Sequence, residues 1–459
     1  MNELDRFPRP LDDGSPRVWL AVLGSLAAVA LVYASIVPLE YRPLALDEAI
    51  ERFRSLRWLN LNVDRRADWV ANGLVALPFG FLLAGAADRD GRLTLRYLAS
   101  LFAIILFGNT LIVGIEFLQL WYPRRTVSGN DIAAGCVAAT ISPLLWIAVG
   151  RPALAVWRRV RTLSWDASSS SRIATVLLWS FCSLLLVYSV LPLDVMFSQA
   201  EWAAKANAGR FAWVPGLHVV ALDPQRGLLE LAIALAVSSL RMVPLGILIV
   251  LARMQHRGLA IMLGFPILIE LLQAPIFTRY TTLADVVCGW AGAAIGVVLA
   301  THWTAIQRIT DRVSVRCASL LLVVLGIFVA FLARYERVAN RAEIDAGWID
   351  FWSPPFVKYY YTSEFLAGSN LVGKMILFAA LGVALAHVFS RPGSRQQTPG
   401  VVASLTSILV VLGTGLTIEV AQVYLVPFYA DASDVLIYAA GALGGWLSYR
   451  VVVTWAGGE

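Results

Sequence analysis

Twelve apolar runs, most of them close to twenty residues long, decide which solvent this chain folds in. They cover 18–37, 68–87, 97–119, 130–149, 173–193, 231–252, 258–273, 283–301, 317–334, 370–388, 401–423 and 434–454. A helix of about 20 apolar residues crosses the hydrocarbon core of a bilayer. A membrane strand would instead alternate apolar and polar residues, and these runs do not. Only 15% of the 459 residues are charged, against about 25% in soluble domains. The expected fold is therefore all-α: a polytopic transmembrane helical bundle of about twelve spans.

The polar residues between the runs repeat. Glu116, Gln119 and Asp131 recur as Glu270, Gln273 and Asp285, and again as Glu419, Gln422 and Asp434. The spacing within each set is the same, and each set falls between two apolar runs. A second mark is Pro78-Phe79-Gly80, then Pro244-Leu245-Gly246, then Ala380-Leu381-Gly382. Glycine and proline are tolerated in membrane helices and permit close helix approach or a kink. A third mark ends the first span as Ser35-Ile36-Val37-Pro38-Leu39 and the fifth as Ser189-Val190-Leu191-Pro192-Leu193. Residues 18–36 could also be read as a cleaved leader, but a leader has no reason to match the end of an internal helix. Three four-helix units are expected, at 1–150, 173–301 and 317–454. The linkers are Arg151 to Arg172, with Ser168 to Ser171 inside it, and His302 to Arg316.

Arginine density orients the bundle. Arg89, Arg92 and Arg96 crowd one short turn, and Arg253 and Arg257 another. Dense positive charge in short loops marks the cytoplasmic side, so both termini are expected there. The polar triplets then face outward, and the protein is expected in the cytoplasmic (inner) membrane. A net charge of +6 spread over loops argues against a nucleic-acid partner. Cys136, Cys182, Cys288 and Cys317 lie in or beside apolar runs without pairing motifs. His218, His256, His302 and His387 lack metal-ligand spacing, so neither a disulfide framework, a metal nor a cofactor is expected.

Glu and Gln three apart share one helix face, and Asp opens the following span. Each Asp can serve as an N-cap, and each Glu–Gln pair as an interhelical hydrogen-bonded clamp. The alternative is an acidic site at the membrane surface, because ionisable groups at membrane depth are functional candidates by default. The cations within reach are Arg124 and Arg125 in the first loop and Arg279 in the second. The third loop, Pro427-Phe428-Tyr429-Ala430-Asp431, has none. Lys374, eight residues before Gly382, has Asn72 and Ser238 as counterparts, and Arg241 lies just before Gly246. The units are thus chemically unequal. The loop 348–361 is rich in Trp and Tyr, as are Trp202, Trp213 and Pro215 in the second unit and Trp58 in the first. These suit the lipid headgroup level or a binding surface.

The motifs together resemble the VanZ-like membrane proteins. The resemblance rests on Ser35, Pro38, Asn72, Pro78, Gly80, Glu116, Gln119, Arg125, Asp131 and Gly135. It rests equally on Ser189, Pro192, Pro244, Gly246, Glu270, Gln273, Arg279, Asp285 and Gly289. The third unit keeps Gly382, Glu419, Gln422 and Asp434, but Tyr438 stands where the others have Gly135 and Gly289. The family's founding member is associated with teicoplanin resistance, and no settled biochemical activity comes with the resemblance. Membrane lipids are expected partners, with a lipid-linked cell-envelope precursor or glycopeptide-type ligand bound at the outer face. The alternatives are a membrane enzyme acting on a lipid-linked glycan or phosphate, with a carboxylate as general base, and a transporter or flippase, in which internal repeats are common. The sequence shows no nucleophile elbow, metal motif or nucleotide loop, and leaves the oligomeric state open.

Overall fold

The computed structural model describes residues 15–56, 58, 61–89, 91–155, 167–213, 224–310, 312–332, 336–338, 340–361, 364–390, 401–426 and 430–456. Pro215, His218, most of the first linker and residues 427–429 of the third loop lie outside the described residues. Among those described, eleven helices are long and apolar enough to cross a membrane. The twelfth expected span is the helix Asp434–Ala456. The long helices are α1 (Ser15–Ile36), α2 (Val63–Ala87), α3 (Leu95–Leu118), α4 (Gly129–Leu145), α5 (Ala167–Val190), α6 (Pro224–Leu251), α7 (Gln255–Gln273), α8 (Leu283–Thr301), α9 (Val313–Leu332), α10 (Glu364–Phe389), α11 (Val401–Val423) and α12 (Asp434–Ala456). The expected second linker is largely helical, as Trp303–Thr310 and the start of α9.

Large apolar side chains cover the outside of these helices. Leu95, Leu184, Leu322 and Leu409 are each about two-thirds exposed or more. In water this surface would be strongly unfavourable; in lipid it is matched to its solvent. Backbone polar groups are satisfied within each helix, as the hydrocarbon requires. The protein is an integral membrane protein.

The chain divides into two compact units, Met1–Leu163 with Pro192–Val195, and Ser164–Leu191 with Met196–Glu459. Helices α1 to α4 pack together in the first. The second holds two groups, α5 to α8 and α9 to α12. One pattern holds in every group: the second helix packs on the first and the fourth, and the third packs on the fourth. The second and fourth helices make the tightest seam. A Cβ on Gly246 would lie 1.9 Å from the Ala293 carbonyl oxygen, and one on Gly382 would lie 1.9 Å from that of Ala442. Facing them, Gly292 and Gly296, and Gly441 and Gly445, admit the opposing backbone equally closely. This is the small-xxx-small mode of membrane helix packing. Gly246→Val should force α6 and α8 apart, at a cost of about 3 kcal/mol or more. Thermal unfolding of the purified protein in detergent measures it; an unchanged midpoint would contradict the tight seam.

Each long loop after the first helix of a group is tied to the loop between the third and fourth helices. In the first group the Arg42 N–H donates to the Trp121 carbonyl at 2.8 Å and Trp121 Nε1 to the Leu44 carbonyl at 2.9 Å. In the second, β1 (Phe211–Ala212) pairs in parallel with β2 (Thr281–Thr282). In the third, β3 (Glu336–Arg337) pairs antiparallel with β4 (Leu425–Val426). Leu39 and Leu193 take left-handed backbone angles, φ 69° and 64°, at the matched Pro-Leu positions. These ties bring the long loops to the ends of the helices that carry the polar triplets.

Candidate functional site

The triplets sit where the third helix of each group ends and the fourth begins. All six Glu and Gln side chains are buried, at 8% exposure or less. Each glutamate accepts a backbone N–H twelve residues ahead. Glu116 takes that of Ser128. Glu270 Oε2 takes that of Thr282 at 2.8 Å, and Glu419 Oε2 that of Asp431 at 2.8 Å. A carboxylate at this place ties the incoming loop to the end of the outgoing helix. Gln119 Nε2 donates to the Ser35 carbonyl at 2.9 Å, which clamps the end of α1.

The aspartates require a correction. Asp131 and Asp285 are not N-caps; they stand three residues further in. Ser128 caps α4 and Thr282 caps α8, each accepting the aspartate N–H. The same hydroxyls donate to the aspartate carboxylates at 2.6 Å. The physical reason is reach: a short hydroxyl one turn earlier meets the free N–H groups, while the carboxylate enjoys the positive helix end from inside the first turn. In the third group Asp434 is the first helical residue. Asp431 Oδ1 accepts the Ser433 N–H and hydroxyl, at 2.8 and 2.6 Å.

The residues eight before each glycine meet these aspartates. Asn72 Nδ2 donates to Asp131 Oδ1 at 2.7 Å, and Ser238 Oγ to Asp285 Oδ1 at 2.5 Å. Lys374 forms an ion pair with Asp434. It also lies 3.2 Å from the Tyr359 hydroxyl, which donates to Asp434 Oδ1 at 2.8 Å. Burial, and then the charge of Asp434, push the Tyr359 phenol above its usual range, so it remains a donor. Burial likewise pushes the Asp431 carboxyl up, against the hydrogen bonds from Ser433 and the attraction of Lys374.

The loop arginines have a shared role. Arg125 donates to the Ala34 carbonyl. Arg279 donates to the carbonyls of Leu191 and Tyr188, at 2.7 and 2.5 Å. Both therefore supply a cation to the last carbonyls of the first helix of their group, where the helix dipole favours one. Arg125 also acts electrostatically on Glu116, and Arg241 on Glu270.

The sequence marks Tyr359 only as part of the aromatic loop 348–361, and does not mark Lys205 or Asp431 as site residues. Lys205 is fully buried and donates to the carbonyls of Gln273, Ala274 and Ile276 at 3.0, 2.8 and 2.7 Å, closing the end of α7. No local pattern marks it. Asp431 had a signal, the twelve-residue step from each glutamate that also finds Ser128 and Thr282. Lys205→Met should destabilise the second group by about 2 kcal/mol, since three carbonyls lose a charged donor. Chemical denaturation would show it, and a variant as stable as the wild type would refute the capping role.

In the contacts described above, each cluster draws its partners from the helices and loops of its own group. Among the described residues no three His, Cys, Asp or Glu side chains could hold a metal ion together, and the four cysteines are free thiols. Several buried polar atoms have no hydrogen-bond partner: Glu116 Oε2, Gln119 Oε1, Asp431 Oδ2, and the Nε atoms of Arg125 and Arg241. The arrangement can accept donors such as ammonium or hydroxyl groups, and its tyrosines and lysine can donate.

No curated protein and no solved structure matches the chain. A family model described as VanZ/LLP1 matches residues 317–453. The match falls on the third group, whose motifs depart most from the other two, and it contains Lys374, Glu419, Gln422 and Asp434. This integral membrane protein thus carries a VanZ-like domain over its C-terminal four helices.

Proposed function

We propose that the chain is built from three VanZ-like units and binds a membrane-anchored, donor-rich ligand at their polar ends. The class is a lipid-linked cell-envelope precursor or a glycopeptide, taken at the outer face with both termini in the cytoplasm. One observation carries the reading: in the third group three carboxylates, Glu419, Asp431 and Asp434, are at most 2% exposed and share the single ammonium of Lys374. Asp431 Oδ2 is buried without a partner. A buried acceptor without a donor is costly, and an amino or hydroxyl group of a ligand would satisfy it. The same helix-end clamp in the other two groups, and the Trp- and Tyr-bearing loops tied to it, support three related units. Resistance to a glycopeptide antibiotic would fit such binding.

The test uses the full chain in nanodiscs, with a polyprenyl-linked peptidoglycan precursor as one probe and teicoplanin as another. Asp431→Asn keeps the acceptor at Oδ1 and removes the charge, so the fold should hold. Binding of the recognised probe should fall about tenfold, the loss of one charged hydrogen bond. It should also weaken as pH falls through the raised Asp431 pKa, because the protonated carboxyl no longer attracts an ammonium. Equal binding by wild type, Asp431→Asn and a Glu116/Glu270/Glu419 triple alanine variant would overturn the reading.

A further inference from the structure

The first helix group leaves an apolar groove of about 390 Å³ open between α1 and α3. Ala28, Val32, Tyr33 and Ile36 line it from α1, and Phe107 and Leu111 from α3. Ala28, Val32 and Leu111 form its floor, since they pack on the core beneath. The wall is apolar throughout, and both helices are candidate membrane spans. From Ala28 to Ile36 the groove runs about 12 Å, at 1.5 Å per residue. Half of the hydrocarbon core is about 15 Å thick, so the groove has the length of one membrane half. Its upper end is the end that carries the polar triplet. Gln119 lies about two turns beyond Leu111, and its Nε2 donates to the carbonyl of Ser35, the neighbour of Ile36. The clamp therefore closes the top of the groove.

The side chains of this group make the groove, and those of the second group fill it. By the offset that matches Ser35 with Ser189 and Glu116 with Glu270, Leu111 corresponds to Phe265, Val32 to Leu186 and Ala28 to Cys182. Phe265 is 7% exposed in one core cluster with Cys182, and Leu186 packs against that cluster. In the third group Phe328 and Phe331 of α9 pack on the core. An open groove forfeits dispersion contacts along its lining, which an occupant restores. A further membrane helix is a poor fit. Close helix approach uses small residues four apart, whereas Val32 follows Ala28 at that step and Leu111 follows Phe107. A single hydrocarbon chain needs no such pair.

We infer that this groove holds the hydrocarbon chain of the lipid-linked precursor proposed above, with the precursor's polar group at the triplet end of the first group. The inference rests on that reading, and adds where the lipid part lies and which group receives it. The groove meets the polar end directly, so a chain lying in it delivers its polar group there.

Photolabelling of the full chain in phosphatidylcholine nanodiscs tests it. One probe is a polyprenyl-linked peptidoglycan precursor with a diazirine on its chain, and the other is phosphatidylcholine with a diazirine on an acyl chain. Mass spectrometry maps the labelled residues. The precursor should label 28–36 and 107–111 about tenfold above the other spans, because a bound polar group concentrates its own chain nearby. Phosphatidylcholine should label all spans alike. The Val32→Leu/Leu111→Phe variant installs the side chains of the second group in open space and should unfold as the wild type does. Its groove labelling should drop to the level of the other spans. Its retention of the precursor should fall only about threefold, since the displaced chain moves into equally apolar lipid. A precursor that is retained but labels the groove no more than other spans would overturn the inference and leave the ligand reading standing. Groove labelling undiminished in the variant would overturn it as well. So would the same groove enrichment with phosphatidylcholine, because the groove would then take any membrane lipid. A precursor that the wild type does not retain would overturn both readings.

Discussion

Lys374→Met is expected to destabilise the C-terminal domain by about 3–5 kcal/mol, the cost of stranding one partner of a buried ion pair. Asp434 is 2% exposed, and the Lys374 ammonium is the cation that meets it. Methionine fills similar space, so packing changes little and the electrostatic loss dominates. Glu419 and Asp431 raise the stakes, because Lys374 attracts both while Asp434 repels both. The Tyr359 hydroxyl still donates to Asp434, but one neutral hydrogen bond recovers only about 1 kcal/mol. The companion variant Lys374→Met/Asp434→Asn removes both charges and should regain most of the loss, since replacing a whole buried pair is often close to neutral. In the first group the equivalent donor is neutral: Asn72→Ala should cost about 1 kcal/mol. Denaturation of all three variants in one detergent makes the comparison. A Lys374→Met protein as stable as the wild type would contradict the stabilising ion pair with Asp434.

This contrast between Asn72, Ser238 and Lys374 was visible in the sequence as an offset from the glycines, although the aspartate contact was not. Helix length and apolar periodicity follow from the solvent, so the spans were legible to within a few residues. The helix-end position of Glu, Gln and Asp followed from spacing alone. What spacing could not give was tertiary: the caps at Ser128 and Thr282, and the pairing of β1 with β2 and β3 with β4. Each two-residue pairing is too short to leave a periodic trace. Lys205 was illegible for a related reason. Lys205 lies in the short helix Gln199–Asn207, where a lysine normally faces water, and the three carbonyls at the end of α7 make its burial favourable.

The Tyr438 position shows how a group can depart from its pattern and keep its packing. In the first group Gly135 faces Ile112, and a Cβ on Gly135 would lie 2.6 Å from that side chain. In the second, Gly289 faces Pro266 at 2.9 Å. In the third the sizes are exchanged: Tyr438 fills the fourth helix, and Gly415 on the third helix makes room, its added Cβ 2.8 Å from the Tyr438 ring. The partner lies four residues before the triplet glutamate in every case, as Ile112, Pro266 and Gly415 do. Tyr438 also stacks on Phe378, ring centroids 4.1 Å apart, and its hydroxyl donates to Glu419 Oε1 at 2.5 Å. Tyr438→Gly should therefore cost about 4–6 kcal/mol, from a large cavity and a glycine inside a helix. Gly415→Ile should cost about 3 kcal/mol by collision with the ring. Together they rebuild the pairing of the first group, and the double variant should be more stable than the sum of the single losses by about 2–3 kcal/mol. It should still fall short of the wild type, because Glu419 loses its phenol donor and Phe378 its stacking partner. Denaturation of the four proteins closes the cycle. Strict additivity would show that the exchange of sizes is coincidental, and would remove the strongest packing argument for treating the third group as a copy of the first.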